Sequence, residues 1–242
     1  MLILASDTSG PSVSVALWLN GRLLGEMTQN VGLTHSVTYL PLIESLMEHC
    51  SRRMDEIDLY AVTVGPGSFT GIRIGISAVK AMAYAAKKPV FGVSTLEAMA
   101  WPYRSSPDVL VCPMLDARNG RVYAGTWQEG ILVLQEENQL MTDFLAKAIR
   151  QAGSGSDPES GRSAAATILT LGCPIPDTVR LSLPDFPISR AAPVSSWLPH
   201  ASAVAEMAAI ASDRGLLMDP QQLQARYLSA SAAERQKNQT HG

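Results

Sequence analysis

Short apolar runs alternate with longer amphipathic stretches along the first hundred residues. The apolar runs have the length of buried strands and lie at residues 2–5, 13–19, 57–64 and 89–93. Asn20-Gly21 stands between two such runs and predicts a two-residue hairpin turn into a strand at 22–27. Helical periodicity marks residues 34–50, where Val37, Leu40 and Met47 are expected to face inward, and residues 71–87. Ser94-Thr95-Leu96-Glu97 matches a capping box that opens a short third helix. The order of elements is therefore β-β-β-α-β-α-β-α.

The second half of the chain repeats part of this order. Strands are predicted at 109–115, 122–127, 131–134 and 167–171, with helices at 142–151 and 200–213 and a proline-dotted loop at 174–199. In each half a strand ends at an aspartate, Asp7 or Asp116, and a hairpin follows. We therefore expect an α/β protein of two similar subdomains with mixed sheets flanked by helices. Their predicted extents are 1–103, with the helix near 200–214 packing back on it, and 104–199, with a flexible loop at 153–166 and a disordered tail at 229–242.

The helix predicted at 71–87 is apolar around most of its circumference. Its apolar residues form three adjacent stripes: Ile72, Ile76, Val79 and Ala83; Gly71, Gly75, Ala78 and Met82; and Ile74, Ala81 and Ala85. A surface helix of a globular protein has a narrower apolar stripe that faces one core. Either this is a central helix of one large core, or a second molecule covers part of it.

A glycine turn, Gly65-Pro66-Gly67, precedes that helix. A turn between strand and helix places backbone N–H groups at a helix N-terminus, where a phosphate can bind. The residues that could contact a nucleotide phosphate weakly are Asp7, Thr8, Gly65, Gly67 and Ser68. The turn lacks the lysine of a P-loop and the spacing of a dinucleotide-binding loop, so a tight turn without a ligand remains the alternative.

Composition and side-chain chemistry narrow the range of possible functions. The chain has 242 residues, of which 46% are hydrophobic and 17% charged, and its net charge of −3 argues against a polyanion binder. Three cysteines without a CxxC spacing indicate reduced thiols. We expect a cytoplasmic protein, because the first residues lack a basic signal-peptide segment and no run of 18 apolar residues would span a membrane. A metal site on a helix needs two histidines four residues apart, and here Tyr39 stands four residues after His35, so no metal site is predicted. No catalytic set of residues is predicted either.

Five motifs in order resemble those of the TsaB (YeaZ) family. They are residues 3–9, His35-Ser36 with Leu40-Pro41, residues 65–75, residues 94–98, and Asp116-Ala117-Arg118 with Val122-Tyr123. Residues 224–228 resemble the tail motif of that family. The resemblance implies the actin/sugar-kinase/heat-shock ATPase-like (ribonuclease H-like) fold. Asn119 and Arg121 depart from the basic and acidic residues that the family often carries at those positions.

The resemblance also implies a function. TsaB-like proteins are non-catalytic dimerisation subunits of the complex that forms N6-threonylcarbamoyladenosine beside the tRNA anticodon. They support TsaD, which carries the metal and transfers the threonylcarbamoyl group, together with the ATPase TsaE. We therefore expect a TsaD heterodimer, a homodimer in its absence, indirect contact with tRNA, and no required cofactor. The predicted partner interface consists of Tyr39, Gly71, Ile74, Gly75, Ala78 and Met82. The alternatives are an ATP-binding phosphotransferase or ATPase of this fold, or a metallopeptidase-like protein.

Overall fold

The computed structural model describes residues 1–30, 35–153, 167–183 and 189–228. The first half contains strands β1 (Leu2–Asp7), β2 (Val13–Leu19), β3 (Arg22–Gln29), β4 (Leu59–Gly65) and β5 (Val90–Ser94), and helices α1 (His35–His49), α2 (Phe69–Ala86) and α3 (Thr95–Ala100). The second half contains β6 (Val109–Asp116), β7 (Arg121–Gln128), β8 (Ile131–Leu140), β9 (Thr167–Leu171) and β10 (Ser189–Ala191), with α4 (Met141–Gly153), α5 (Asp177–Leu181) and α6 (Ala201–Asp213).

The strands form two sheets with equivalent connectivity. The first sheet has the order β3-β2-β1-β4-β5 and the second β10-β9-β6-β7-β8. In each, the first strand pairs antiparallel with the next strand in sequence and parallel with the fourth. We call the parts built on these sheets the first and second lobes. Helix α6 follows the second lobe in sequence but packs on β1 and β2 of the first lobe.

Each lobe has its own apolar core. In the first, α1 and α2 cover the sheet, and Tyr39, Leu46 and Ile72 are almost fully buried between them. In the second, α4 covers the sheet through Phe144 and Leu145. Burial of this apolar area is the main stabilising contribution to each lobe.

The hairpin and most element boundaries agree with the sequence predictions. Asn20 and Gly21 both have positive φ, 48° and 84°, as the predicted two-residue turn requires. Helix α1 continues through Pro41, which lies on its exposed side, where water can replace the missing hydrogen bond.

Other predictions differ from the structure or lie outside it. The stretch predicted as a proline-dotted loop contains α5 and β10. Of the predicted flexible loop, the structure describes only Gly153, with which α4 ends. The predicted tail at 229–242 lies outside the described residues. Within the described parts of the chain, no helix has the length and apolar character needed to cross a membrane.

Candidate functional site

The turn between β4 and α2 is bound to the loop after β1. The Ser68 side chain caps α2, accepting a hydrogen bond from the amide of Gly71 at 3.2 Å. The Ser68 amide donates to the carbonyl of Ser9 at 2.7 Å. A Cβ on Gly67 would overlap that same carbonyl. Glycine is therefore needed here because two backbone segments of the same chain touch.

Asp7, at the end of β1, is fully buried. Its Oδ1 accepts hydrogen bonds from the hydroxyls of Ser9 at 2.6 Å and Thr63 at 2.5 Å, whereas Oδ2 is buried without a hydrogen-bond partner. Burial raises the pKa of Asp7, and the two hydroxyl donors offset that effect only in part. Because the carboxyl group is enclosed by the chain, it is not accessible to a phosphate or a metal ion in this conformation.

The other predicted nucleotide contacts also meet the chain's own atoms. Thr8 is buried, and its hydroxyl donates to the carbonyl of Gly71 at 2.8 Å. A Cβ on Gly65 would overlap the carbonyl of Arg226, so the backbone near the C-terminus occupies the space beside this glycine. These residues do not fit a nucleotide phosphate as they are arranged. Among the described residues, no group of three or more His, Cys, Asp or Glu side chains could hold a metal ion.

Three of the residues predicted for the partner interface are in the interior. Tyr39 is 1% exposed and donates to the Ser6 hydroxyl at 2.7 Å, and burial raises its pKa. Gly71 and Gly75 are buried because they face the loop after β1: a Cβ on Gly71 would overlap the Thr8 carbonyl, and one on Gly75 the Thr8 hydroxyl. The interface prediction is wrong for these three residues. Their small size allows close packing within the chain.

The remaining predicted interface residues, Ile74, Ala78 and Met82, are partly exposed along one edge of α2. Ala81 and Ala85 of the same helix are exposed. Residues 74, 78, 81 and 85 lie on one helix face, at spacings of three and four. The apolar circumference of α2 is thus divided between a side buried in the lobe and a side left open.

Helix α1 touches α2 and carries exposed apolar side chains of its own. Val37 is 63% and Leu40 50% exposed, although both were expected to face inward, as Met47 does. Sequence reasoning missed these two residues because α1 presents apolar side chains on more than one face. We define the α1–α2 surface as the exposed and partly exposed apolar side chains of both helices: Val37, Leu40, Ile74, Ala78, Ala81, Met82 and Ala85.

The two equivalent lobes define the class of protein: an α/β protein with the fold of sugar kinases and related ATPases. A hexokinase from Thermus thermophilus superposes with a TM-score of 0.51 over 87% of this chain and 99% of its own, at 12% identity, and so shows the fold alone. A closer match in structure is a Pseudomonas aeruginosa protein described as similar to the peptidase YeaZ. It has a TM-score of 0.73 and 29% identity, over 94% of this chain and 99% of its own.

A family model described as TsaD, tRNA N6-adenosine threonylcarbamoyltransferase, matches residues 29–191, and the chain belongs to that family. It is 36% identical to the tRNA threonylcarbamoyladenosine biosynthesis protein TsaB of Bacillus subtilis, over 60% of this chain and 65% of the relative. It is also 36% identical to TsaB of Escherichia coli, over 53% of this chain and 55% of the relative. The matched region is thus less than two thirds of the length of either relative. Within the family the chain is similar to TsaB, as its motifs predicted.

Proposed function

We propose that this chain is a TsaB-type subunit that supports a TsaD-type enzyme in forming N6-threonylcarbamoyladenosine in tRNA. The names of the B. subtilis and E. coli relatives and the similarity to YeaZ over nearly the whole chain support this reading. A subunit of this kind works where tRNA is modified, which is the cytoplasm.

The observation that carries the proposal is the α1–α2 surface. Val37 and Leu40 are at least half exposed on α1, and apolar residues from Ile74 to Ala85 leave one side of α2 open. Large exposed apolar patches are uncommon on monomeric proteins and mark interaction sites. Alanines on a helix face let a second helix approach closely. A TsaD-type protein shares this fold and would present equivalent helices, so we propose that it docks here and that a second copy of this chain docks here in its absence.

The chain's own residues favour a supporting role over catalysis. The carboxyl group of Asp7 is enclosed, and backbone atoms of Ser9 and Arg226 occupy the space beside the glycines of the β4–α2 turn. We propose that the transfer takes place on the TsaD-type partner, with TsaE as the third protein, and that tRNA is contacted through the assembled complex. No step of the reaction is assigned to a residue of this chain.

Reconstitution tests the proposal. The TsaD-type and TsaE-type proteins of the same organism are incubated with tRNA, threonine, bicarbonate and ATP, with the enzyme that makes the threonylcarbamoyl adenylate, with and without this chain. We expect modified adenosine only when the chain is present. Equal modification without it, or ATP turnover by the isolated chain that is lost in Asp7→Ala, would favour the alternative of a phosphotransferase or ATPase.

A further inference from the structure

The segment at residues 220–228, which we call the C-terminal strap, runs along α2. At one end, the Lys80 ammonium donates to the carbonyls of Gln221 and Leu223 at 3.2 and 3.1 Å. At the other end, the Tyr227 ring stacks on Phe69 with centroids 4.9 Å apart. The strap therefore holds α2 at both its first turn and its middle, a separation of about 17 Å at 1.5 Å per residue.

Arg73 completes the contact at the first turn of α2. Its guanidinium lies 3.8 Å from the centroid of the Phe69 ring, and its Nε donates to the Tyr227 hydroxyl at 3.1 Å. A cation over an aromatic face and a stacked ring pair are both favourable contacts. This cluster joins residues more than 150 positions apart in sequence and fixes the end of the strap on the helix.

Residues of the first lobe form a complementary binding site for the strap. Leu223 is 1% exposed, and a Cβ on Gly92 would lie only 2.7 Å from its Cδ1. The Arg226 amide donates to the carbonyl of Val64 at 2.8 Å, and Gly65 leaves room for the Arg226 carbonyl. Because larger residues at Gly65 or Gly92 would displace the strap, its position is specified by the lobe as well as by the strap itself.

Arg226 also reaches the second lobe. Its Nη1 lies 2.6 Å from Oε2 of Glu136 on β8, and Glu136 is 7% exposed. The other oxygen of Glu136 accepts a hydrogen bond from the hydroxyl of Ser94, at the end of β5 in the first lobe. Burial raises the pKa of Glu136, while Ser94 and Arg226 act to lower it. Nearby Glu97 on α3 also has a raised pKa, because of its burial and the charge of Glu136.

We propose that Arg226 and Tyr227 are positioning residues for the α1–α2 surface: the strap fixes α2 relative to both lobes and so presents that surface to the TsaD-type partner in one orientation. This inference rests on the proposed function. If the strap is released, α2 samples more orientations, and the apparent affinity for the partner falls with the fraction of molecules in the binding orientation. The strap residues act through α2 and lie on its polar side, away from the open apolar face.

The test measures the dissociation constant for the purified TsaD-type partner by titration calorimetry, together with hydrogen exchange of residues 69–86. We expect Tyr227→Ala and Arg226→Ala to weaken partner binding by about tenfold and to speed exchange in α2. Glu136→Gln, a milder change in the other lobe, should weaken binding about threefold. Arg226→Lys should restore part of the loss. Arg53→Ala is the matched control, because it removes an exposed arginine whose ion pair with Asp55 lies outside the strap.

The outcomes separate this inference from the proposed function. If the wild-type chain does not bind the partner, both fail. Suppose instead that the wild type binds and that a charge in the α1–α2 surface weakens binding. If Tyr227→Ala, Arg226→Ala and Glu136→Gln then all bind within twofold of wild type, only the positioning role is overturned. A lowered melting temperature with unchanged affinity and unchanged exchange in α2 would also overturn the positioning role, because the strap would then stabilise the fold without affecting partner binding.

Discussion

Substitution of Ala78 by glutamate is the sharpest probe of the α1–α2 surface. Ala78 is partly exposed in the chain alone, so a glutamate there can direct its carboxylate to water, and the cost to the fold is a few tenths of a kcal/mol of helix propensity. When a partner covers the surface, the same carboxylate is removed from water without a positive partner. Uncompensated buried charges cost about 3–5 kcal/mol. Because Ala78 lies at the edge of α2, the lower value applies, and about 3 kcal/mol is roughly a 150-fold loss of affinity.

The assay is sedimentation velocity of the chain alone and titration with the TsaD-type partner. Ser105→Glu is the matched control, because Ser105 is exposed and lies outside α1 and α2. We expect Ala78→Glu to be monomeric and to bind the partner at least a hundredfold more weakly, with a melting temperature close to that of wild type, whereas Ser105→Glu behaves as wild type. If Ala78→Glu still dimerises and binds the partner as tightly as Ser105→Glu does, the assignment of this surface is wrong.

The remaining predictions concern stability. Gly71→Ala should lower the free energy of unfolding by about 1–2 kcal/mol in urea denaturation. Its Cβ would overlap the backbone carbonyl of Thr8, and this overpacking costs about 1–3 kcal/mol, more than alanine gains in helix propensity. An equal or higher stability of the variant would show that the loop after β1 moves away freely. Asp7→Asn should remove a pH dependence of the free energy of unfolding. In the folded wild type the pKa of Asp7 is raised from its ordinary value of 3.8, so the folded state binds more protons than the unfolded state. The wild type therefore loses stability as pH rises above that value. The stability of Asp7→Asn relative to wild type should therefore increase between pH 4 and pH 7 in thermal melts, and a constant difference across that range would contradict the burial of an ionisable carboxyl group.

Features encoded by neighbouring residues could be predicted from the sequence. The Asn20-Gly21 turn and every described strand except β10 depend on short-range periodicity and turn chemistry, and they are found in the structure. The equivalence of the lobes could be anticipated because each begins with a strand ending in aspartate and a hairpin. The family motifs lie in these same local segments, which is why they identified the fold.

The identity of the interface residues could not be read in the same way. A small residue on a helix permits close approach, but its size does not say whether the approaching atoms belong to the same chain. In α2, Gly71 and Gly75 face Thr8 of the same chain, whereas Ala78 and Ala81, a turn later, face outward. The strap was missed for a related reason: Tyr227 and Arg226 find their partners in Phe69, Arg73 and Glu136 through the tertiary fold alone.

The same contacts are consistent with the supporting role that we propose for this kinase-like fold. For a phosphate to enter at the β4–α2 turn, the chain would have to give up the bond from the Ser68 amide to Ser9 and that from the Arg226 amide to Val64, each worth about 1 kcal/mol net. Displacement of Arg226 would also break its ion pair with Glu136. A phosphate would thus compete with the contacts that fix α2. The arrangement favours holding one surface in place over opening a cleft, which is what the proposed role of presenting that surface to an enzyme requires.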